Sequence, residues 1–132
     1  RHRNPRHVGE VPARAYWPIT HIGLSAQVEG VVAVYADLRP VHPAIIWMDR
    51  RATAEASALS DYLGEDKVFR ITGLNCDASH AAPKIMWLRQ NLDQEPRWYL
   101  PVGSFIAARL AGEIAQDPTQ ASSWRVLGSA AR

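Results

Sequence analysis

The sequence has a single cysteine, Cys76, which excludes an internal disulfide framework and points to a reducing, cytoplasmic setting. The five histidines are scattered, and His21, His42 and His80 share no metal-ligand spacing, so no metal site is expected. No window reaches the ~18 uninterrupted apolar residues that a membrane span needs, and the arginine-rich start lacks the apolar run of a secretory signal. The reading is a soluble protein with no membrane contact. Glycine-rich phosphate loops are also missing: there is no Gly-x-Gly-x-x-Gly, no Gly-x-x-x-x-Gly-Lys-Ser/Thr and no other glycine-dense run, so nothing here is expected to hold ATP. Ser25, Ser79 and Ser122 have no glycine-flanked elbow, and Cys76 beside Asp77 has no nearby base. Acyl-transfer chemistry is therefore not expected.

What is present suffices for one domain: 132 residues, 47% of them hydrophobic. The net charge of +2 is unevenly placed, because Arg1, Arg3, Arg6 and Arg14 stand against Glu10 in the first 14 residues. That arm, residues 1–17, could touch a phosphate backbone. It has no interleaved aromatics and nothing basic follows it, so a solvated, poorly ordered end is the expectation and nucleic acid is not a partner.

Beyond Pro18 the pattern becomes Ile19, Ile22 and Leu24, then Gly30 and the run Val31 to Tyr35, which reads as two short neighbouring strands. Asp37 to Pro40 reads as a turn. Ala44 to Met48 is a continuous apolar run of the kind that forms a strand buried on both faces, giving a mixed sheet of about three strands. From Arg50 the apolar period lengthens through Ala52, Ala56, Leu59 and Leu63, with Asp49 placed to cap a helix and Gly64 to stop it. Pro83 suits the first turn of a second helix through Ile85, Leu88 and Leu92. Pro101 suits a third through Phe105 and Leu110, closed by Gly112. The fold class is therefore α/β, about three strands followed by about three helices, over residues 18–124, with a tail at 125–132.

Two polar clusters interrupt apolar strands at their ends, where α/β sheets place ligand sites. Gln27 and Glu29 follow the first strand; Asp49, Arg50 and Arg51 follow the third. Carboxylates and an amide at such ends can hold the hydroxyls of a polyol. On pattern alone the plainer reading stands beside this one: a turn glutamate, a capping aspartate and solvated arginines. Trp47 and Trp87, in apolar segments, read as core.

The order of segments adds a resemblance. Ile22-Gly23-Leu24-Ser25-Ala26-Gln27-Val28-Glu29-Gly30 resembles the "(I)S(G/N)Q" segment of FGGY carbohydrate kinases. Arg39-Pro40 through Pro43-Ala44-Ile45-Ile46-Trp47-Met48-Asp49-Arg50-Arg51 is similar to their "RP…AI.W.D.R" segment. Ile71-Thr72-Gly73, Pro83 to Leu88, Leu110 to Glu113 and Asp117 to Ser122 resemble later pieces in the same order.

The resemblance implies part of the N-terminal lobe of a ribonuclease H-like (actin-like ATPase) fold. It also implies phosphoryl transfer from Mg-ATP to a sugar or polyol hydroxyl in the full-length family. Positions just after the "SxQ" strand touch substrate in that family, and here they are Val28 and Glu29. Xylulose kinases usually carry Met-His at these places and glycerol kinases Arg-Glu, so only the glutamate of the second pair is kept. Ser79 stands where glycerol kinases have a substrate-contacting tyrosine, while Trp47 and Asp49 match substrate-side positions plainly. The implied substrate-side set is Gln27, Val28, Glu29, Trp47, Asp49 and Ser79. The family's Asp-x-Gly-Thr phosphate loop and its catalytic aspartate in a Gly-Asp segment have no counterpart in this sequence, so no residue is assigned as catalytic or cofactor-binding. The expectation is an internal piece of a kinase, inactive alone. A partial lobe leaves sheet edges and apolar surface unprotected, which predicts a homodimer or larger assembly; a self-associating structural protein reusing the fold is the alternative.

Overall fold

The computed structural model describes residues 20–124. The basic arm and the tail expected at 1–17 and 125–132, together with Ile19, lie outside the described residues. Seven elements follow in order: β1 (Val31–Val34), α1 (Thr53–Leu63), α2 (Glu65–Thr72), α3 (Ala81–Asn91), β2 (Trp98–Pro101), α4 (Val102–Ala111) and α5 (Pro118–Ser123).

β1 is the centre of the domain. Its four residues, Val-Val-Ala-Val, are all buried. Because side chains alternate across a strand, Val31 and Ala33 join Ile45, Ala81, Ile85 and Leu88 on one face. Val32 and Val34 pack with Leu100 on the other, against Val102 and Phe105. Burial on both faces is why the strand is apolar throughout.

The sheet differs in detail from the expectation. β1 pairs antiparallel with β2, Val31 opposite Pro101 and Val34 opposite Trp98. Its other edge meets the segment after the turn at Asp37 only in isolated antiparallel bridges, Val34 with Pro40 and Val31 with Ile45. Pro40 and Pro43 lack the N–H donors that a continuous ladder needs, so the expected Ala44–Met48 strand is reduced to a single anchoring residue. Ile45 is wholly buried, whereas Ile46, Trp47 and Met48 are exposed. Ile22 and Leu24 are exposed too and form no strand.

The helices keep most of their expected ends. Gly64 and Gly112 close α1 and α4, their N–H groups donating to the carbonyls of Ser60 and Ala108, and Pro83 lies in the first turn of α3. Asp49 is not the cap of α1: that helix starts later, with Ala52 at the N-cap and no side-chain cap bond. Two helices were not expected. α2 carries Glu65 and Asp66 in its first turn and ends on a left-handed Gly73. α5 is opened by Asp117, whose side chain accepts from the Gln120 N–H, with Pro118 behind it.

Candidate functional site

The segment 26–30 reaches the sheet by close backbone approach. A Cβ at Gly30 would lie 2.7 Å from Cγ2 of Val102, so only glycine lets this loop rest on the start of α4. The preceding residue, Glu29, has φ of 59°, in the left-handed region that a glutamate rarely adopts. Such strain persists only where surrounding contacts enforce it. Here a carboxylate oxygen of Glu29 accepts from the Ala81 N–H at 2.9 Å, at the first turn of α3. A negative charge at a helix start is favourable. The Glu29 carbonyl accepts from Nζ of Lys84 at 2.8 Å.

Lys84 carries the contact onward. It is wholly buried, and its ammonium also donates to the carbonyl of Ser79. Burial pushes its pKa down, while the charges of Glu29, Asp49 and Asp77 push it up. His80 lies beside the same junction, with Nδ1 buried, without a hydrogen-bond partner among the described residues and 3.7 Å from the Glu29 carboxylate.

A second group is built from ion pairs. Asp77 accepts the Ser79 N–H at 2.8 Å and takes both arms of the Arg50 guanidinium, which holds its carboxyl far below the usual carboxylate range. Asp49 is gripped by Arg51, Nη2 to Oδ2 at 2.7 Å, which lowers its pKa and keeps it an anionic acceptor. The Arg51 guanidinium in turn lies 4.9 Å from the ring centre of Trp87. Gln27 joins the segment before β1 to the segment 44–48: its side-chain oxygen accepts a long 3.4 Å bond from the Trp47 N–H.

Of the six expected residues, Glu29 and Ser79 are brought together through Lys84, and Gln27 and Trp47 through a direct bond. Val28 and Trp47 are exposed, so Trp47 is not the core residue its apolar segment suggested; Trp87 does pack against the core. Asp49 acts with Arg51 instead of capping α1. Sequence reasoning did not single out Lys84, Asp77 or His80 as site residues. A lone lysine on an apolar helix stretch, Pro83-Lys84-Ile85, was the available signal for the first. A polar cavity of about 310 Å³ opens next to the Arg50–Asp77 pair, lined by Ser57, Ser60, Asp61, Glu65 and Cys76 among others. Burial raises the Cys76 pKa, consistent with an inert thiol.

The arrangement offers anionic and carbonyl acceptors at the ends of chain segments that converge on one buried lysine. The family description "FGGY family of carbohydrate kinases, N-terminal domain" matches residues 16–128. The chain belongs to the FGGY carbohydrate kinase family. Among FGGY relatives, it is 28% identical over 108 residues to a xylulose kinase of Staphylococcus xylosus, covering 79% of this chain and 22% of that protein. It is 33% identical over 112 residues to a glycerol kinase of Thermus brockianus, covering 76% and 22%. The solved structure of a xyloylose kinase from Brucella ovis superposes with a TM-score of 0.70 at 30% identity, covering 81% of this chain and 23% of that one. The chain thus spans between a fifth and a quarter of the length of these FGGY proteins. The fold is a portion of the family's ribonuclease H-like α/β lobe.

The Mg-ATP that FGGY kinases use does not fit the described residues. No group of three or more His, Cys, Asp or Glu among them could hold a metal ion. Gly64, Gly73 and Gly112, the described glycines with positive φ, end helices and form no phosphate cradle. No helix of the described residues is long and apolar enough to cross a membrane.

Proposed function

We propose that this chain forms part of the sugar-side wall of a carbohydrate kinase, binding a pentulose or polyol through Gln27, Glu29, Trp47 and Asp49, with Val28 and Ser79 at its rim. The observation that carries the reading is Glu29, held in left-handed backbone with its carboxylate on the start of α3. Backbone strain of this kind concentrates where a ligand is clamped. Glu29 and Asp49 would accept hydrogen bonds from adjacent hydroxyls, Gln27 would add an amide, and Trp47 an apolar face for the carbon skeleton. The xylulose and glycerol kinases among the relatives support a polyhydroxylated substrate. In the whole enzyme Mg-ATP supplies the phosphoryl group; the residues described here take the sugar side only, and the chain alone binds without turnover, in a cytoplasmic setting.

Calorimetric titration with D-xylulose, glycerol and a panel of other ketoses and polyols tests this. Binding of at least one, lost in Glu29→Ala and Asp49→Ala, is the expected result. Absence of binding to every member would overturn the reading, and robust turnover of Mg-ATP by the purified chain would overturn its passive part.

A second reading, self-association, is favoured by exposed apolar side chains. Ile22 is 67% and Leu110 60% exposed, and both line an open, largely apolar groove with Leu24. The two readings are compatible, since the groove shares no residue with the polyol-binding set.

A further inference from the structure

We infer that Lys84 is the positioning residue of the sugar-side site: its ammonium ties the main chains of Glu29 and Ser79 together and so fixes two loops that lie 50 residues apart in sequence. The inference deepens the polyol-binding reading and rests on it for the role of those loops, but not for the tie itself.

Lys84 is one of two lysines in the chain, and the other, Lys67, is exposed on α2. A lysine with none of its surface exposed is rare, because removing an ammonium from water is costly unless its donors are satisfied. Here two of its three protons go to main-chain carbonyls. Carbonyls are found at every residue, so the lysine grips positions 29 and 79 whatever side chains stand there. A cross-link made this way leaves both side chains available for changes in specificity without loss of the clamp.

The need for a clamp is visible at both ends. Glu29 holds a left-handed backbone conformation that is strained in a non-glycine residue, and the Lys84 bond to its carbonyl helps enforce it. Ser79 sits in the short connection between α2 and α3, where its N–H is already bound by Asp77. With the amide bound to Asp77 and the carbonyl to Lys84, the peptide units on both sides of Ser79 are fixed. Rigid α3 then carries the lysine, and Ala81 on the same helix holds the Glu29 carboxylate. One helix end therefore sets the main chain of both loops and one side chain.

Amide hydrogen exchange on the chain, followed by NMR, reads the tie without any ligand. Lys84→Met keeps the length and apolar stem of the side chain but removes its donors. In that variant exchange at Ala81 and Ser79 should accelerate at least tenfold, while Leu88→Ala, which destabilises the same helix from the core side, should leave those two amides near wild type after correction for global stability. Equal behaviour of the two variants would overturn the tie. If Lys84→Met does not fold, reductive methylation of the wild type decides: Lys67 should react at least tenfold faster than Lys84, and equal rates would overturn the tie. Calorimetry with D-xylulose and glycerol reads the consequence. Where the wild type binds, Lys84→Met should weaken binding at least tenfold, and unchanged affinity would sink the positioning role. If the wild type binds neither sugar, the polyol-binding reading fails, and the exchange or methylation result still judges the clamp.

Discussion

Arg50 and Asp77, 27 residues apart in sequence, meet in a forked ion pair, with Nη1 to Oδ1 at 3.0 Å and Nη2 to Oδ2 at 2.9 Å. The two-bond geometry is the strong form of such a pair. It joins the stretch before α1 to the loop before α3, and the same carboxylate fixes Ser79. The Asp77 carboxyl titrates far below its unfolded value near 3.9. The folded state therefore binds its proton less readily than the unfolded chain, so its contribution is full above about pH 4 and is lost as pH falls through the folded value. Arg50 is well exposed, and screening keeps the pair's contribution small. Asp77→Asn should lower the melting temperature by about 2–5 °C at pH 7, with the gap closing as pH falls below about 4. Thermal melts across pH 2–7 check both the gap and its closure; a gap that widens towards acid would contradict this account.

Gly30 is fixed by sterics. A methyl group there would sit 2.7 Å from Cγ2 of Val102, a β-branched side chain with little rotamer freedom, packed beside Val32 and Phe105. Gly30→Ala should cost about 1–3 kcal/mol in urea unfolding, as overpacking does. A neutral result would mean that the loop moves freely off α4.

Elements whose signals are local were legible in the sequence. β1 announced itself as four consecutive small or β-branched apolar residues, and the ends of α1 and α4 as Gly64 and Gly112. β2 is hidden in the sequence because Pro101 signals a helix start, yet it is both the last residue of the strand and the N-cap of α4. α2 was hidden behind Gly64, which ends one helix and begins the next. The segment 44–48 misled because continuous apolarity ordinarily means burial on both faces, whereas here only Ile45 reaches the core. Of the candidate site, Glu29 and Asp49 were found by residue type at segment ends. Lys84 was not: its place among apolar residues, Pro83-Lys84-Ile85, is a hint of burial, but its carbonyl partners are main-chain groups that no sequence pattern displays.

The groove of Ile22, Leu24 and Leu110 supplies a prediction on assembly. If it is an interface between copies, light scattering should give a mass above that of one chain at micromolar concentration, and Leu110→Asp should return it to monomer. Leu110 is 60% exposed, so the substitution should change unfolding free energy by less than about 1 kcal/mol. A wild-type monomer would remove the self-association reading and leave the polyol site untouched.

Trp47 separates binding from folding most cleanly. It is 51% exposed, and its main-chain N–H, not its ring, makes the bond to Gln27. Trp47→Ala keeps that bond and removes a large, half-exposed ring. The unfolding free energy should change little, by less than about 1 kcal/mol, because a half-exposed side chain leaves no closed cavity behind. If the ring forms the apolar face against the carbons of a bound polyol, the same variant should lose about tenfold in affinity for D-xylulose or glycerol, equivalent to about 1.4 kcal/mol. Trp47→Phe should recover most of it. Calorimetry beside chemical denaturation gives both numbers on one preparation. A large stability loss with unchanged affinity would reverse the assignment, making Trp47 a packing residue and leaving Glu29 and Asp49 to hold the sugar without an aromatic floor.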